Sequence, residues 1–401
     1  CLAGWQTINR IQFKNCLNMI PLTYTLRNVF RRPLQTLQLI GGSGLVITLL
    51  MLATSINQSM QNTLNNSGNE NNIIFLSAGS EESIERSEIS FGMEEIIDGN
   101  IENIRQVMNQ SAISPEVHYN GMVKVKERPE SQALIRGIQH QALWVHEKVR
   151  LLKGKFPQAG EIMVGRLAYH KLGLGKEDLQ IGKFIEFNNE KLRISGIFDA
   201  QGTVMEAEIW IPLLDLMTYT QRDSLSCVIM SSNSRKAFTH AEVFAQTRLD
   251  LELVALKESE YYEKISSFYA PIRWMTWISA FLISIGAFFG GLNTLFAAFS
   301  SRICEFGSLQ AIGFSRFSIF LSLCKESMAI GIIAAGLSII VGVFLLDGIS
   351  YPFSIGVFTL QFNNLIIFTG LISGFGLALI GVFAPAWKCL HPSLPQTLRA
   401  S

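Results

Sequence analysis

From Pro33 through Asn69 the chain carries not one charged residue, and within that run Leu34–Ala53 (LQTLQLIGGSGLVITLLMLA) is long enough to cross a bilayer as a helix. About 20 apolar residues rising 1.5 Å each span roughly 30 Å of hydrocarbon. A cleaved signal peptide fits less well. Its apolar core would be about 7 to 15 residues, and no small-x-small cleavage site follows before Asn57-Gln58. Three further uncharged runs repeat the pattern. Trp274–Ser301 is bracketed by Arg273 and Arg302 and opens on Trp274 and Trp277, rings that favour the headgroup level. Ser327–Leu346 is the next. Gly348–Trp387 holds a short loop near Tyr351–Asn364 and a fourth helix at Leu365–Trp387.

Four spans place both termini on one side. The short flanks with Lys and Arg are the N-terminal segment, Arg302, Arg316, Lys325, Lys388 and Arg399, whereas the loop after Leu346 has only Asp347. The basic side is cytoplasmic, so both termini are expected there, in a multi-pass protein of the cell inner (plasma) membrane. Residues 57–270 are expected outside.

Composition agrees with segregated surroundings. The chain is 48% hydrophobic and only 16% charged, against about 25% charged in soluble domains. Residues 56–270 are net acidic, with 22 Lys and Arg against 29 Asp and Glu. That stretch reads as α+β. Strands are expected at 73–76, 133–138, 161–165, 183–187, 193–198 and 207–211, and helical spacing at 81–108, 166–172 and 249–266. The expected fold class is an α-helical membrane protein with four transmembrane helices and a large α+β extracytoplasmic domain inserted between helices 1 and 2. Its parts are a cytoplasmic leader and interfacial helix (1–33), helix 1 (34–56), the extracytoplasmic domain (57–270), helices 2–4 with the segment 302–316 joining helices 2 and 3 (271–390), and a cytoplasmic tail (391–401). In the leader, Leu22, Leu26, Val29 and Phe30 share a helical face beside Arg27, Arg31 and Arg32. An interfacial helix and an ordinary basic flank both fit. Residues 1–18 read either as an artefact of start assignment or as a natural extension.

Chemistry is hard to find. Gly154-Lys155-Phe156, Gly175-Lys176-Glu177 and Gly182-Lys183-Phe184 lack the Ser or Thr of a nucleotide-binding loop. His140 and His146 lack the i, i+4 placement of a shared zinc and read as surface or loop residues. Ser43 misses the hydrolase elbow, and Cys227 reads as a small buried hydrophobe. No catalytic residue, metal or cofactor is expected, and no nucleic acid partner. A membrane-anchored enzyme is the distant rival. Lys325 and Glu326 are the charges within the spans, beside one end, so no polar route crosses the midplane. Gly286 and Gly290, like Gly370 and Gly374, are four apart, a spacing for close helix packing within the chain or with a second copy.

Leu292–Arg316 (LNTLFAAFSSRICEFGSLQAIGFSR) resembles the FtsX-like permease domain of ABC systems of the MacB, LolC/LolE and FtsX type. The likeness runs through Asn293, Thr294, Arg302, Glu305, Phe306, Gly307, Leu309, Ala311, Ile312, Gly313 and Phe314. Pro385-Ala386-Trp387-Lys388 and Leu398-Arg399 resemble the family's ending, and Gly154–Gly165 (GKFPQAGEIMVG) more weakly resembles the MacB-like core domain. Gln310 departs, standing where a basic residue is common, and so does Pro395-Gln396-Thr397. The resemblance implies a non-catalytic permease subunit that couples ATP hydrolysis by a separate ABC ATPase to movement of the outer domain, for export or lipoprotein and lipid handling. It implies a second permease copy or paralogue, and admits a periplasmic adaptor. The rival within the family is a regulator or signalling subunit that activates an extracytoplasmic partner. Arg302, Glu305, Phe306, Gly307, Leu309, Ile312 and Gly313 are the expected ATPase-coupling residues, with Phe306 and Leu309 buried in the ATPase.

Overall fold

The computed structural model describes residues 31–391; most of the candidate interfacial helix (21–32) and nearly all of the tail lie outside them. Among the described residues, four helices are long and apolar enough to cross a membrane. They are α1 (Pro33–Ser67), α2 (Ala270–Ser300), α4 (Arg316–Val341, continued by a π turn, Gly342–Leu346) and α5 (Asn364–Leu390), with the short α3 (Ile303–Ala311) joining α2 to α4. α2, α4 and α5 reach beyond their uncharged runs, while α1 stays within its own. α4 starts eleven residues before Ser327 because Ser315 caps it, its side chain accepting from the Ser318 amide at 3.1 Å; such a cap satisfies a donor the helix leaves open.

The chain divides into two compact units, one of residues up to Asn57, Arg273–Asp347 and those from Gln361, the other of Gln58–Ile272 and Gly348–Leu360. In the first, helices meet through small residues and hydroxyls. An added Cβ at Gly331 would lie 2.9 Å from both Ala378 Cβ and the Gly374 carbonyl oxygen, and one at Gly374 only 3.0 Å from Ala335 Cβ. Where lipid offers no hydrophobic drive between helices, such close approach supplies the packing. Ser338 Oγ adds a bond to the Gly44 carbonyl of α1 at 2.8 Å.

The second unit is built on a ten-stranded sheet. Its strands are β1 (Asn72–Ser77), β2 (Ile113–Lys124), β3 (Ser131–Ile138), β4 (Arg150–Gly154), β5 (Glu161–Gly165), β6 (Phe184–Phe187), β7 (Glu190–Asp199), β8 (Ile209–Pro212), β9 (Cys227–Ser231) and β10 (Leu253–Lys257). The order is β10-β1-β9-β2-β3-β8-β5-β7-β4, with β6 pairing β7 and β2. Only β5–β7 and β3–β8 run parallel among these pairs. Strand β1 reads NIIFLS without polar alternation because both of its faces are covered. Ile73 and Phe75 join one core with Val228, Met230 and Ala255, while Ile74 and Leu76 join another with Ile229 and Tyr262. A side-chain period of two sends neighbours to opposite faces.

That second core also gathers residues from the ends of the spanning helices and the loop beyond α4. Met60 and Leu64 of α1, Tyr261, Tyr262 and Tyr269 before α2, and Phe358 are buried together, with Phe353 and Ile355 packed against them. The segment expected as a plain loop after α4 is a hairpin, Ser350–Pro352 paired with Val357–Thr359. Lys171 Nζ donates to its Phe353 and Ser354 carbonyls.

Two helical expectations fail in this unit. Residues 81–108 form a 3-10 turn (Ile84–Arg86), one helix (Met93–Asn100) and a small hairpin. Met108 and Asn109 both take positive φ there, the conformation a two-residue hairpin turn requires. Residues 249–266 divide into a 3-10 turn (Leu249–Leu251), strand β10 and the first part of a helix, Glu258–Phe268. Leu253 pairs with Ser77 of β1.

One sheet face carries buried charge. Arg136 of β3 grips Glu208 with two bonds of 2.7 Å and gives Nη1 to Glu116 at 2.7 Å. Trp210 Nε1 donates to Glu208 at 2.8 Å. His146, expected as a surface or loop residue, lies in a loop but is buried, with Nε2 2.8 Å from Glu116 Oε1. It ends the short helix Ala142–Val145, whose hydrophobic side chains pack inward and take the ring with them.

Candidate functional site

Helix α3 sits on a pattern of mixed polarity that serves two surfaces. Phe306 and Gly307 are buried, Ile303 and Leu309 half-buried, and together they pack into a core with Leu295, Phe299, Ile319, Leu323 and Val382. Phe306, expected to enter an ATPase, lies in the chain's own core, with Leu309 half-buried beside it. Their apolar face is already used by α2, α4 and α5 of the same chain. A side chain such as Phe306 gains about 1.5 to 3 kcal/mol from that burial.

The opposite face holds Cys304, Glu305, Ser308, Ala311 and Ile312, all exposed. Spacings of three, four, seven and eight residues align 304, 308, 311 and 312 on one side of a helix. Ile312, 76% exposed, is a large apolar side chain at its end. The helix stops there by a defined device. Gly313 takes φ +108, its amide bonds to the Gln310 carbonyl at 3.0 Å, and the Phe314 amide reaches Leu309 at 3.1 Å. This is the Schellman pattern, which selects glycine after a helix. Gly313 therefore shapes the joint rather than offering a contacting side chain.

Arg302 anchors the start. Its Nη1 lies 2.9 Å from Glu326 Oε2 of α4, its Nε 3.2 Å from Glu305 Oε2, and its guanidinium 5.5 Å from the Phe306 ring. The buried Arg302 thus fixes α3 against α4, while Glu305 keeps an oxygen-bearing end toward solvent. Nearby, Arg32 donates to Ser301 at the end of α2.

The four singled-out helix glycines separate. Gly370 packs against Met51 of α1, and Gly374 against Gly331 and Ala335 of α4. An added Cβ at Gly286 or Gly290 would meet nothing within 4 Å, and both are exposed on α2. Only Ala280, Leu295 and Phe299 of α2 are buried.

Residues 36–245 match the family model described as MacB-like periplasmic core domain, and residues 277–394 match that described as FtsX-like permease C-terminal. The chain belongs to the MacB- and FtsX-like ABC permease family. This permease is also similar to two solved domains. The periplasmic region of MacB from Actinobacillus actinomycetemcomitans is 12% identical, aligns over 51% of this chain and 97% of its own, and gives a TM-score of 0.39. The extracellular domain of the ABC-type transporter YknZ from Gram-positive bacteria is 15% identical over 47% of this chain and 100% of its own, with a TM-score of 0.36. No curated protein matches.

Within the permease, sequence reasoning placed segment 302–316 between α2 and α4 but could not tell its inward from its outward face. Glu326 was read as a charge at a helix end. Its pairing with Arg302, 24 residues earlier, is a tertiary contact with no local spacing signal.

Proposed function

We propose that this chain is the permease subunit of an ABC transporter working by mechanical transmission, with a separate ATPase docking on α3. The observation that carries the reading is the outward row Cys304, Glu305, Ser308 and Ile312 on a helix whose other face is locked into its own bundle. A force applied to that row passes to α4 through Arg302 and Glu326 rather than being absorbed by a loose loop. The basic flanks support a cytoplasmic position for α3 and both termini, with residues 57–270 outside.

Movement of the helices reaches the outer domain through the second core, where the ends of α1 and the segment before α2 pack with the 348–360 hairpin. In this reading nothing is catalysed by the chain. The working unit is a pair of permeases, a homodimer by preference, with α2 and its exposed Gly286 and Gly290 facing the second copy.

The test is copurification of the cognate ATPase with the full permease, and its ATPase stimulation. Ile312→Asp is expected to weaken assembly about tenfold or more, since it places a charge in an apolar contact. Unchanged recovery and stimulation would mean that this face rests on lipid headgroups.

A further inference from the structure

A cross-strand arrangement beside the Arg136 pair gathers metal-ligating groups in the buried interior. Cys227 of β9 stands directly opposite Glu116 of β2, and His118 follows Glu116 by two residues on the same face. Glu116 Oε2 is 3.2 Å from His118 Nε2, and Cys227 Sγ is 3.9 Å from that nitrogen. These three donor atoms lie within 4.8 Å of one another and all three residues are buried. His146 lies on the other side of the carboxylate, its Nε2 2.8 Å from Glu116 Oε1, and holds it in place.

The surrounding charge favours a cation. Glu116, Glu208 and Glu258 are buried here with one guanidinium, Arg136. Glu258 lies with Oε1 3.9 Å from His146 Nδ1 and accepts from Asn72 at 2.9 Å. Buried carboxylates need a partner cation or must give up their charge. Ser114 Oγ donates to Glu116 Oε1 at 2.8 Å, and Arg136 holds Oε2, which is how outer-layer groups orient a metal-binding carboxylate.

We propose that Cys227, His118 and Glu116 form a buried binding site for a soft-to-borderline divalent cation, zinc being the best fit. One thiolate, one imidazole and one carboxylate are zinc donors, and three of them leave the fourth position of a tetrahedron open. Binding displaces the thiol proton of Cys227 to solvent and requires His118 to keep its remaining proton on Nδ1. The cation then ties β2 to β9.

The full chain is purified in detergent from cells grown with zinc, and separately with cobalt in its place, and metal content and the cobalt spectrum are measured. The expected result is about one equivalent per chain and, for cobalt, a thiolate-to-metal charge-transfer band with tetrahedral d–d intensity. Cys227→Ser removes the band, and Ser114→Ala weakens binding about tenfold. The assignment is overturned if the wild-type chain holds less than about a tenth of an equivalent, if wild-type cobalt protein lacks the charge-transfer band, or if Cys227→Ser leaves the band unchanged. The wild-type spectrum decides even if a variant fails to fold.

Discussion

Arg302, buried, and Glu326, half-buried, form an ion pair, Nη1 to Oε2 at 2.9 Å, that ties the start of α3 to the body of α4. Removing one partner leaves a largely desolvated charge unpaired, a loss of up to about 3–5 kcal/mol. Arg302→Met is expected to lower the thermal stability of the detergent-solubilised permease markedly. Adding Glu326→Met should restore most of the loss, because replacing a buried pair by apolar residues is often near neutral. A thermal-shift series over the two singles and the double measures the coupling, and additive losses would show that the pair does not hold the joint.

The Arg136, Glu116 and Glu208 network supports a similar expectation in the outer domain. Burial alone would raise the Glu116 carboxyl, but the charges of His146 and Arg136 and the bonds from His118 and His146 hold it well below the usual carboxylate range. Arg136→Met strands two carboxylates, Glu116 and Glu208, in the interior. A loss of about 3–5 kcal/mol is expected in urea unfolding followed by tryptophan fluorescence, since Trp210 is part of the network.

Helix glycines should respond in opposite ways. At Gly331 an added Cβ has only 2.9 Å to Ala378 Cβ and to the Gly374 carbonyl, so Gly331→Val is expected to cost about 1–3 kcal/mol by overpacking. Gly286→Val meets open space and should leave the monomer's melting unchanged. If α2 is the contact to a second copy, cysteines placed beside Gly286 should crosslink and Gly286→Val should reduce that crosslink.

Much of this architecture was legible because a bilayer imposes simple demands: uncharged runs of sufficient length mark spans whatever their neighbours. Strands 161–165 and 209–212 were near their expected places for the same kind of reason, a continuous apolar run covered on both faces. What sequence could not supply was direction. Phe306 and Ile312 are both large and apolar, six residues apart on one short segment, yet one is 2% and the other 76% exposed. Only the positions of α2, α4 and α5 decide between them. The burial of His146 was missed for a related reason. Its partner Glu116 lies 30 residues away, and Glu116 with His118 shows its shared face only once residues 113–124 are known to be a strand.

Topology has its own check. Asn71 and Ser308 are both exposed, one at the entry to β1 and the other on α3. In a cysteine-free background, Asn71→Cys should react with an impermeant maleimide in intact cells and Ser308→Cys only after permeabilisation. The reverse pattern would place the domain in the cytoplasm.

The central claim is that the outward face of α3 receives the ATPase, and it is tested most directly by comparing Ile312→Asp with Phe306→Asp in full permease expressed with its ATPase. Ile312→Asp should leave the permease folded, with an unchanged melting temperature, while recovery of the ATPase and its stimulated hydrolysis fall about tenfold or more. Phe306→Asp buries a charge in the chain's own core and should lower the melting temperature itself. Full ATPase recovery and stimulation by a folded Ile312→Asp permease would contradict the account.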